Sequence, residues 1–364
     1  MTAELDLGGL AAWGWNAELA ASLAPHLAAG GMPGRVIVEE SGAYVVMTPA
    51  GERSTGLAGR FRHEHVDDPL AYPGVGDWVV IEGAAEGLPI IDRLPRRTSI
   101  VRRPPGNRGA NAQLLAANVD VLFIVASMNR EFNVRRLERY VVVAWESRAE
   151  PVILLSKADL AVDISGFIDA ARSVAPGVPV MPVSAVTGAG LEAVRERLGP
   201  GRTAAFVGSS GVGKSTLVNA LAGGELMATA SIREDDARGR HTTSRRQLLL
   251  IADGVVLDTP GLRELGLADG DGLDIAFSDI GKLAEGCRFR DCAHRAEPGC
   301  AIRAAIASGE LEGARFASFE RLEREARSAE RRTSAATRIV AERRWKSIAK
   351  NNRARNKALE RGWA

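Results

Sequence analysis

Hydrophobic and polar positions divide this chain into four stretches. In residues 1–33, Ala and Leu recur with two Trp, and their spacing predicts a short helix around Ala17 to Ala28. Over 34–103 the apolar residues fall in short β-type runs, "RVIVEE", "AYVVMT" and "DWVVIE", separated by turn-forming "PAGE" and "YPGVGD". Short strands at that spacing predict a small closed barrel. Over 104–281 the apolar runs lengthen. "VDVLFIVAS" and "PVILLSKADL" read as buried parallel strands, with "NVRRLERYVVVAWESR" as the helical crossover between them. "VPVMPVSA", "TAAFVGSSG" and "GVVLDTPG" continue the strands, and "GLEAVRERL" and "KSTLVNALAG" the helices, which together predict a doubly wound α/β domain. Residues 282–364 open on a Cys/His cluster and continue as an Arg/Glu/Ala-rich helical pattern. No internal repeat is visible.

Charge adds an asymmetry to this plan. The net charge is only +2, yet residues 313–364 carry 15 Lys and Arg against 6 Asp and Glu, a surplus of nine that leaves the rest of the chain acidic by about seven. An acidic body with a basic arm predicts a polyanionic partner at one end. The N-terminus lacks a basic leader followed by an apolar run, and no apolar stretch is long enough to span a bilayer. The expectation is a cytoplasmic, soluble, monomeric protein.

Chemistry enters at "GSSGVGKST": Gly208, Ser209, Ser210, Gly211, Val212, Gly213, Lys214, Ser215 and Thr216. This is the G-x-x-x-x-G-K-S pattern, standing between a predicted strand and a predicted helix. Its glycines let backbone N–H groups face phosphates, Lys214 reaches the β and γ oxygens, and the Ser215 hydroxyl ligates Mg²⁺. Ser156-Lys157-Ala158-Asp159 follows another buried strand and fits the guanine-reading pattern, with Ser where Asn is usual. There the Asp159 carboxylate accepts from guanine N1 and N2, donors that adenine lacks. Ser184-Ala185, at the next strand end, fits the loop that meets the guanine carbonyl. Asp258-x-x-Gly261 ends "GVVL" and fits the motif that holds Mg²⁺ through water and meets the γ-phosphate through the glycine N–H. Between it and the phosphate loop lies "GRHTTS", where Thr243, in preference to Thr242, is the second expected Mg²⁺ ligand on a switch segment.

These motifs run in the order of a GTPase that has been cut open and rejoined elsewhere, a rearrangement that a domain with neighbouring termini tolerates. With "YPGVGDWV", "RRTSIVRR", "QLLAANVDVLFIVAS", "GRHTTS" and "DTPGLRE", the chain closely resembles the RsgA (YjeQ) family of circularly permuted GTPases over nearly its whole length. The resemblance implies a multidomain fold: an N-terminal OB-type β-barrel, a central α/β circularly permuted P-loop GTPase domain and a C-terminal α-helical zinc-binding domain. It further implies GTP hydrolysis in the late maturation of the small (30S) ribosomal subunit, with 16S rRNA as partner. The expected boundaries are 1–33 for an N-terminal extension, 34–103 for the barrel, 104–281 for the GTPase domain and 282–364 for the zinc domain with its basic tail.

Leu262 stands where Ras-like enzymes place the water-orienting Gln. His241, just before the switch threonines, is the nearby side chain able to take that role, and the resemblance points to it too. His63 and His65 in "RHEHVDD" read as surface residues on a strand or loop, and His26 as the end of a helix. Cys287, Cys292, His294 and Cys300 use every cysteine of the chain and offer three thiolates and one imidazole, the donor set of a structural tetrahedral Zn²⁺. The tail segment holding Arg343, Arg344, Lys346, Lys350, Arg353, Arg355 and Lys357 around Trp345 suits RNA phosphates, and Arg96, Arg97, Arg102 and Arg103 lie at the barrel exit. Three rivals remain: an RNA-binding protein with a structural nucleotide domain, an ATP-dependent enzyme, and a permuted GTPase acting on the large subunit.

Overall fold

The structure is a computed structural model; it describes residues 7–40, 42–83, 87, 89–102, 112–227, 246–258, 271–328 and 331. The chain opens with α1 (Gly8–Ala11) and α2 (Ala17–Leu27). Asn16 caps α2 by accepting the Leu19 N–H at 3.0 Å, and Leu19 and Leu23, one turn apart, are its buried face. His26 lies in its last turn, as expected.

Strands β1 (Gly31–Glu40), β2 (Ala43–Thr48), β3 (Gly51–Thr55), β4 (Trp78–Glu82) and β5 (Ile90–Arg93) follow, with α3 (Gly59–Glu64) between β3 and β4. Their pairings are antiparallel: β1 with both β2 and β4, β2 with β3, and β4 with β5. A parallel bridge from Leu57 to Ile90 brings the two ends of this run together. Val36, Val46, Phe61, Val79, Ile81 and Ile90 share one apolar centre. "RHEHVDD" departs from the expected strand or loop: His63 is helical, in α3, and half-buried His65 closes that helix with its ring 4.5 Å from Phe61. Arg96 is committed to the fold, since it grips buried Asp77 with two hydrogen bonds of 2.8 and 2.6 Å.

β6 (Ser99–Arg102) and β7 (Gln113–Ala117) form a separate two-stranded ribbon leading into the α/β region. That region comprises β8 (Val121–Ser127), α4 (Val134–Ser147), β9 (Glu150–Ser156), α5 (Ile164–Val174), β10 (Val180–Pro182), α6 (Leu191–Leu198), β11 (Thr203–Val207), α7 (Lys214–Ala222), β12 (Arg246–Ile251) and β13 (Gly254–Asp258). The strand order is β10-β9-β8-β11-β13-β12, parallel except for β12. Alternation along β8 shows why helices cover both faces. Leu122 and Ile124 join the core that holds Leu137 and Val141 of α4 and Val174 of α5. Val121, Phe123 and Val125 point the other way, into the core of Leu191 and Leu198 on α6 and Leu217 and Leu221 on α7.

The two sheets of sequence expectation are one in space. β12 pairs with β1 at Val38↔Gln247 and Glu39↔Arg246, so the N-terminal strands extend the α/β sheet. Buried Arg35 reinforces the junction by donating to the Trp13 carbonyl, to the Asn118 carbonyl at 3.2 Å and to Thr203 Oγ1 at 2.7 Å, with its guanidinium 5.3 Å from the Trp78 ring. Burial pushes its pKa down to about 10, which still leaves it charged at neutral pH.

Beyond the sheet come α8 (Asp271–Ala276), α9 (Ser278–Ala284), the Cys/His segment, α10 (Ala301–Ser308) and α11 (residues 313–328). Among the described residues no helix is long and apolar enough to cross a membrane.

Candidate functional site

The carboxyl ends of β8, β9 and β11 lie side by side, with Ser127 opposite Ser156 and Ile124 opposite Val207. The chain winds outward from this point in two directions, which makes it the topological switch point where a doubly wound sheet opens a crevice. The predicted phosphate loop occupies it. Gly208 has φ +146°, and a Cβ there would stand 2.3 Å from the Val125 carbonyl oxygen, so only glycine lets the loop lie against β8. Gly213, at φ +95°, is the N-cap of α7 and contributes no side chain to its first turn, which leaves those N–H groups for an anion. Lys214 folds back over the loop and donates to the Gly208 and Ser209 carbonyls at 2.8 and 2.6 Å. Ser215 is half-buried beside it, and Ser210, Gly211 and Thr216 are exposed.

The predicted base-reading residues come to the same place. Ser156, 2% exposed at the end of β9, donates from Oγ to the Val212 carbonyl at 2.6 Å. Lys157 adopts a left-handed backbone, φ +62°, and its Nζ donates to the Gly211 carbonyl at 2.9 Å. Exposed Asp159 sits in the short turn after it, where buried Ser184 donates from Oγ to Asp159 Oδ1 at 2.6 Å. The Ala158 N–H also donates to the Val183 carbonyl at 3.1 Å, and Ala185 is half-buried next to this junction. The loops after β9, β10 and β11 are thus one bonded unit, although their motifs are far apart in sequence. Asp258 ends β13 opposite Gln247. His241, Thr242, Thr243, Gly261 and Leu262 lie outside the described residues, as do Arg103 and the basic tail beyond residue 331.

One participant escaped sequence reasoning. Arg136, in the first turn of α4, donates from Nη1 to the Ser209 hydroxyl. No motif marks it, because its contact spans 73 residues of sequence.

The Cys/His cluster forms a second site. The ligating atoms of Cys287, Cys292, His294 and Cys300 all lie within 4.8 Å of one another. His294 Nδ1 is 3.6 Å from Cys287 Sγ and 3.5 Å from Cys300 Sγ. Sulfur and imidazole donors on one tetrahedral ion, at ordinary Zn–S and Zn–N lengths, stand about 3.5 Å apart, so this donor set fits such an ion. His294 takes a left-handed backbone, φ +59°, to present its ring, which meets Phe316 of α11 edge-on at 6.0 Å. Burial pushes the Cys287 thiol up, but the N–H groups of Ala301 and Ile302 in the first turn of α10, with the neighbouring sulfurs, bring it below its ordinary value. Desolvation and the other sulfurs push Cys292 the other way, up to about 11. A metal binding here must therefore displace protons.

Comparison with known proteins agrees with this geometry. The family model described as RsgA GTPase matches residues 93–268. The chain is 46% identical over 293 residues to Small ribosomal subunit biogenesis GTPase RsgA 2 of Lactiplantibacillus plantarum, covering 80% of this chain and 82% of that protein. It is 41% identical to Small ribosomal subunit biogenesis GTPase RsgA of Opitutus terrae, covering 97% of this chain and 99% of the relative. Among solved structures, that of YjeQ from Thermotoga maritima superposes with a TM-score of 0.60 at 26% identity, over 81% of this chain and 98% of that one. The permuted motif order, the joined loops at the switch point and these similarities converge: this chain belongs to the RsgA GTPase family.

Proposed function

We propose that this protein is a GTPase that binds the small (30S) ribosomal subunit and acts in its late maturation, hydrolysing GTP to GDP and phosphate with turnover stimulated by the subunit. The observation that carries the reading is the bonded unit of Ser156, Lys157, Asp159 and Ser184 with the loop of Gly208 to Thr216, in a chain whose relatives are named for this role. A base-recognising carboxylate and a phosphate loop held together in one crevice describe a guanine nucleotide site.

In this assignment Asp159 accepts from guanine N1 and N2, and Ser184 aims it, with Ala185 lining the base. The N–H groups from Ser209 to Thr216 and the ammonium of Lys214 hold the phosphates. Ser215, Thr243 and Asp258 are the residues that would hold Mg²⁺, Asp258 through water, and the ion would supply positive charge to offset that of the phosphates. Gly261 meets the γ-phosphate. His241 orients the attacking water, since the side chain of Leu262 has no hydrogen-bonding group.

The N-terminal strands are assigned as an OB-type barrel on their pairing pattern: β1 in the middle of β2 and β4, and Leu57 bridging to Ile90. The metal of the Cys/His cluster is assigned as one structural zinc. The domain boundaries are assigned near the expected residues 33, 103 and 281, the first set back to Gly31 so that β1 stays whole and the last moved to Ala284 so that α9 does. With the basic tail, the barrel supplies the surface for 16S rRNA in the cytoplasm, and the protein works as a monomer.

The test is co-sedimentation with isolated 30S and 50S subunits in GTP, GDP or a non-hydrolysable analogue, together with GTP turnover. The expected result is GTP-dependent pelleting with 30S and stimulation that fades as salt rises. His241→Ala should retain GTP binding and lose most of the stimulated turnover. Preference for 50S, or for ATP, overturns the reading.

A further inference from the structure

Helix α4 touches two parts of the molecule with adjacent residues. Arg135 donates to Glu138 at 2.8 Å and to Glu312 at 3.0 Å, and Arg139 grips Glu325 with bonds of 2.9 and 2.5 Å. Those residues, three and four apart, share the face that meets α11 and the residue before it. Arg136 is turned about 100° from Arg135 around the helix axis and reaches the Ser209 hydroxyl in the phosphate loop. Its own backbone is fixed, because the Arg136 N–H donates to the capping Asn133 side chain at 3.1 Å.

The loop's side-chain restraints are unevenly placed. Among the described residues, Ser156 and Lys157 tie down its later half at Val212 and Gly211. Its first half is held by Lys214, on the Gly208 and Ser209 carbonyls, and by Arg136. Lys214 must leave those carbonyls to reach a phosphate. With nucleotide bound, the Arg136 contact becomes, among the described residues, the remaining side-chain restraint on the loop's first half.

We propose that Arg136 is a positioning residue for the nucleotide: it holds the first half of the phosphate loop through the Ser209 hydroxyl, from a helix that α11 immobilises. This rests on the reading of the site as a GTP site. The restraint acts on loop shape, which the bound substrate and the transition state share, so its loss weakens both alike. That raises KM and leaves kcat unchanged.

The experiment uses the full chain with Arg136→Ala, Arg136→Lys, Ser209→Ala and the Arg136→Ala/Ser209→Ala pair, with Lys214→Ala as control. Affinity is read with fluorescent GTP and GDP, and turnover over a range of GTP concentrations. Each single alanine variant should weaken both nucleotides and raise KM about three- to tenfold, the size of one hydrogen bond. The pair should be no weaker than either alone, and Arg136→Lys, which keeps a donor, should recover most of the affinity. Thermal unfolding of the nucleotide-free variants should match wild type, which separates loop positioning from loss of fold. Unchanged affinity in both single variants, additive losses in the pair, or a fall in kcat at constant KM overturns the proposal. If Lys214→Ala leaves GTP binding intact, the reading of the site fails; if it abolishes binding while the other variants behave as wild type, only the role of Arg136 fails.

Discussion

The Ser156 hydroxyl lies 2.6 Å from the Val212 carbonyl oxygen and donates to it. This one contact joins the loop after β9 to the loop after β11, across a sequence separation of 56 residues. Serine replaces the more usual asparagine here, and its shorter side chain still spans the gap because the two strands flanking the crevice bring the loops together.

On the proposed assignment, Ser156→Ala leaves the Val212 carbonyl without this donor inside the protein. A lost hydrogen bond of this kind is worth about 1–3 kcal/mol when the remaining partner stays buried. Affinity for GTP and GDP should therefore fall by roughly tenfold, with the preference for guanine over adenine kept, since Asp159 is untouched. Competition titrations with GTP, GDP and ATP check both halves of this expectation.

Asp159 itself sets the base. Its carboxylate is exposed, yet Ser184 holds one oxygen at 2.6 Å, leaving the other for a ligand. Asp159→Asn exchanges an acceptor for a donor and should shift preference from GTP toward XTP, whose ring carries a carbonyl where guanine has its amino group. Unchanged GTP affinity in this variant removes the assignment.

Much of the fold is legible because period and burial coincide. "AYVVMT" is β2 residue for residue, and the crossover read in "NVRRLERYVVVAWESR" is α4. The motif residues are legible because backbone chemistry at a phosphate demands glycine at fixed spacing. Pairings between distant segments are not. "RQLLLI" becomes β12, which joins the N-terminal strands to the α/β sheet through Val38 and Glu39, and no local pattern encodes that partner. The alternation in "RHEHVDD" misleads at His63 because it is too short to separate a strand from a short helix around Phe61. The role of Arg96 is hidden for a different reason: an arginine in a basic run reads as surface until its partner, here buried Asp77, is seen.

The Cys/His cluster gives a compositional test. Metal analysis of protein purified without chelators should find one zinc per chain, and Cys292→Ser should lose it. His294 links the cluster to α11 through Phe316, so metal loss should raise hydrogen exchange over residues 287–328. The nucleotide crevice draws no direct described contact from this segment, so GTP should still bind, weakened at most about three- to tenfold through the hold of Glu312 and Glu325 on the helix that carries Arg136. Absence of zinc from the wild-type protein ends the assignment.

Arg315 fastens α11 to the rest of the molecule. It is 4% exposed and grips both oxygens of Asp279 at 2.7 Å. It also donates to Glu138 and to the Val174 and Ala276 carbonyls, each at 3.1 Å, and lies 4.7 Å from the Phe277 ring. Removing one member of such a network leaves buried Glu138 short of a partner, so Arg315→Met should cost about 3–5 kcal/mol, read by urea unfolding and by faster exchange in residues 313–328. The same network predicts a pH dependence. Burial pushes the Asp279 carboxyl up, but the hydrogen bonds and charge of Arg315 outweigh it and hold the group below its ordinary 3.8. A carboxyl whose folded pKa is depressed stabilises the fold fully above its unfolded value and loses that contribution as pH falls through the folded one. The stability difference between wild type and Asp279→Asn should therefore be flat from neutral pH down to about pH 4 and shrink below it. A difference that instead grows on acidification would mean that Arg315 does not hold Asp279 in its charged form.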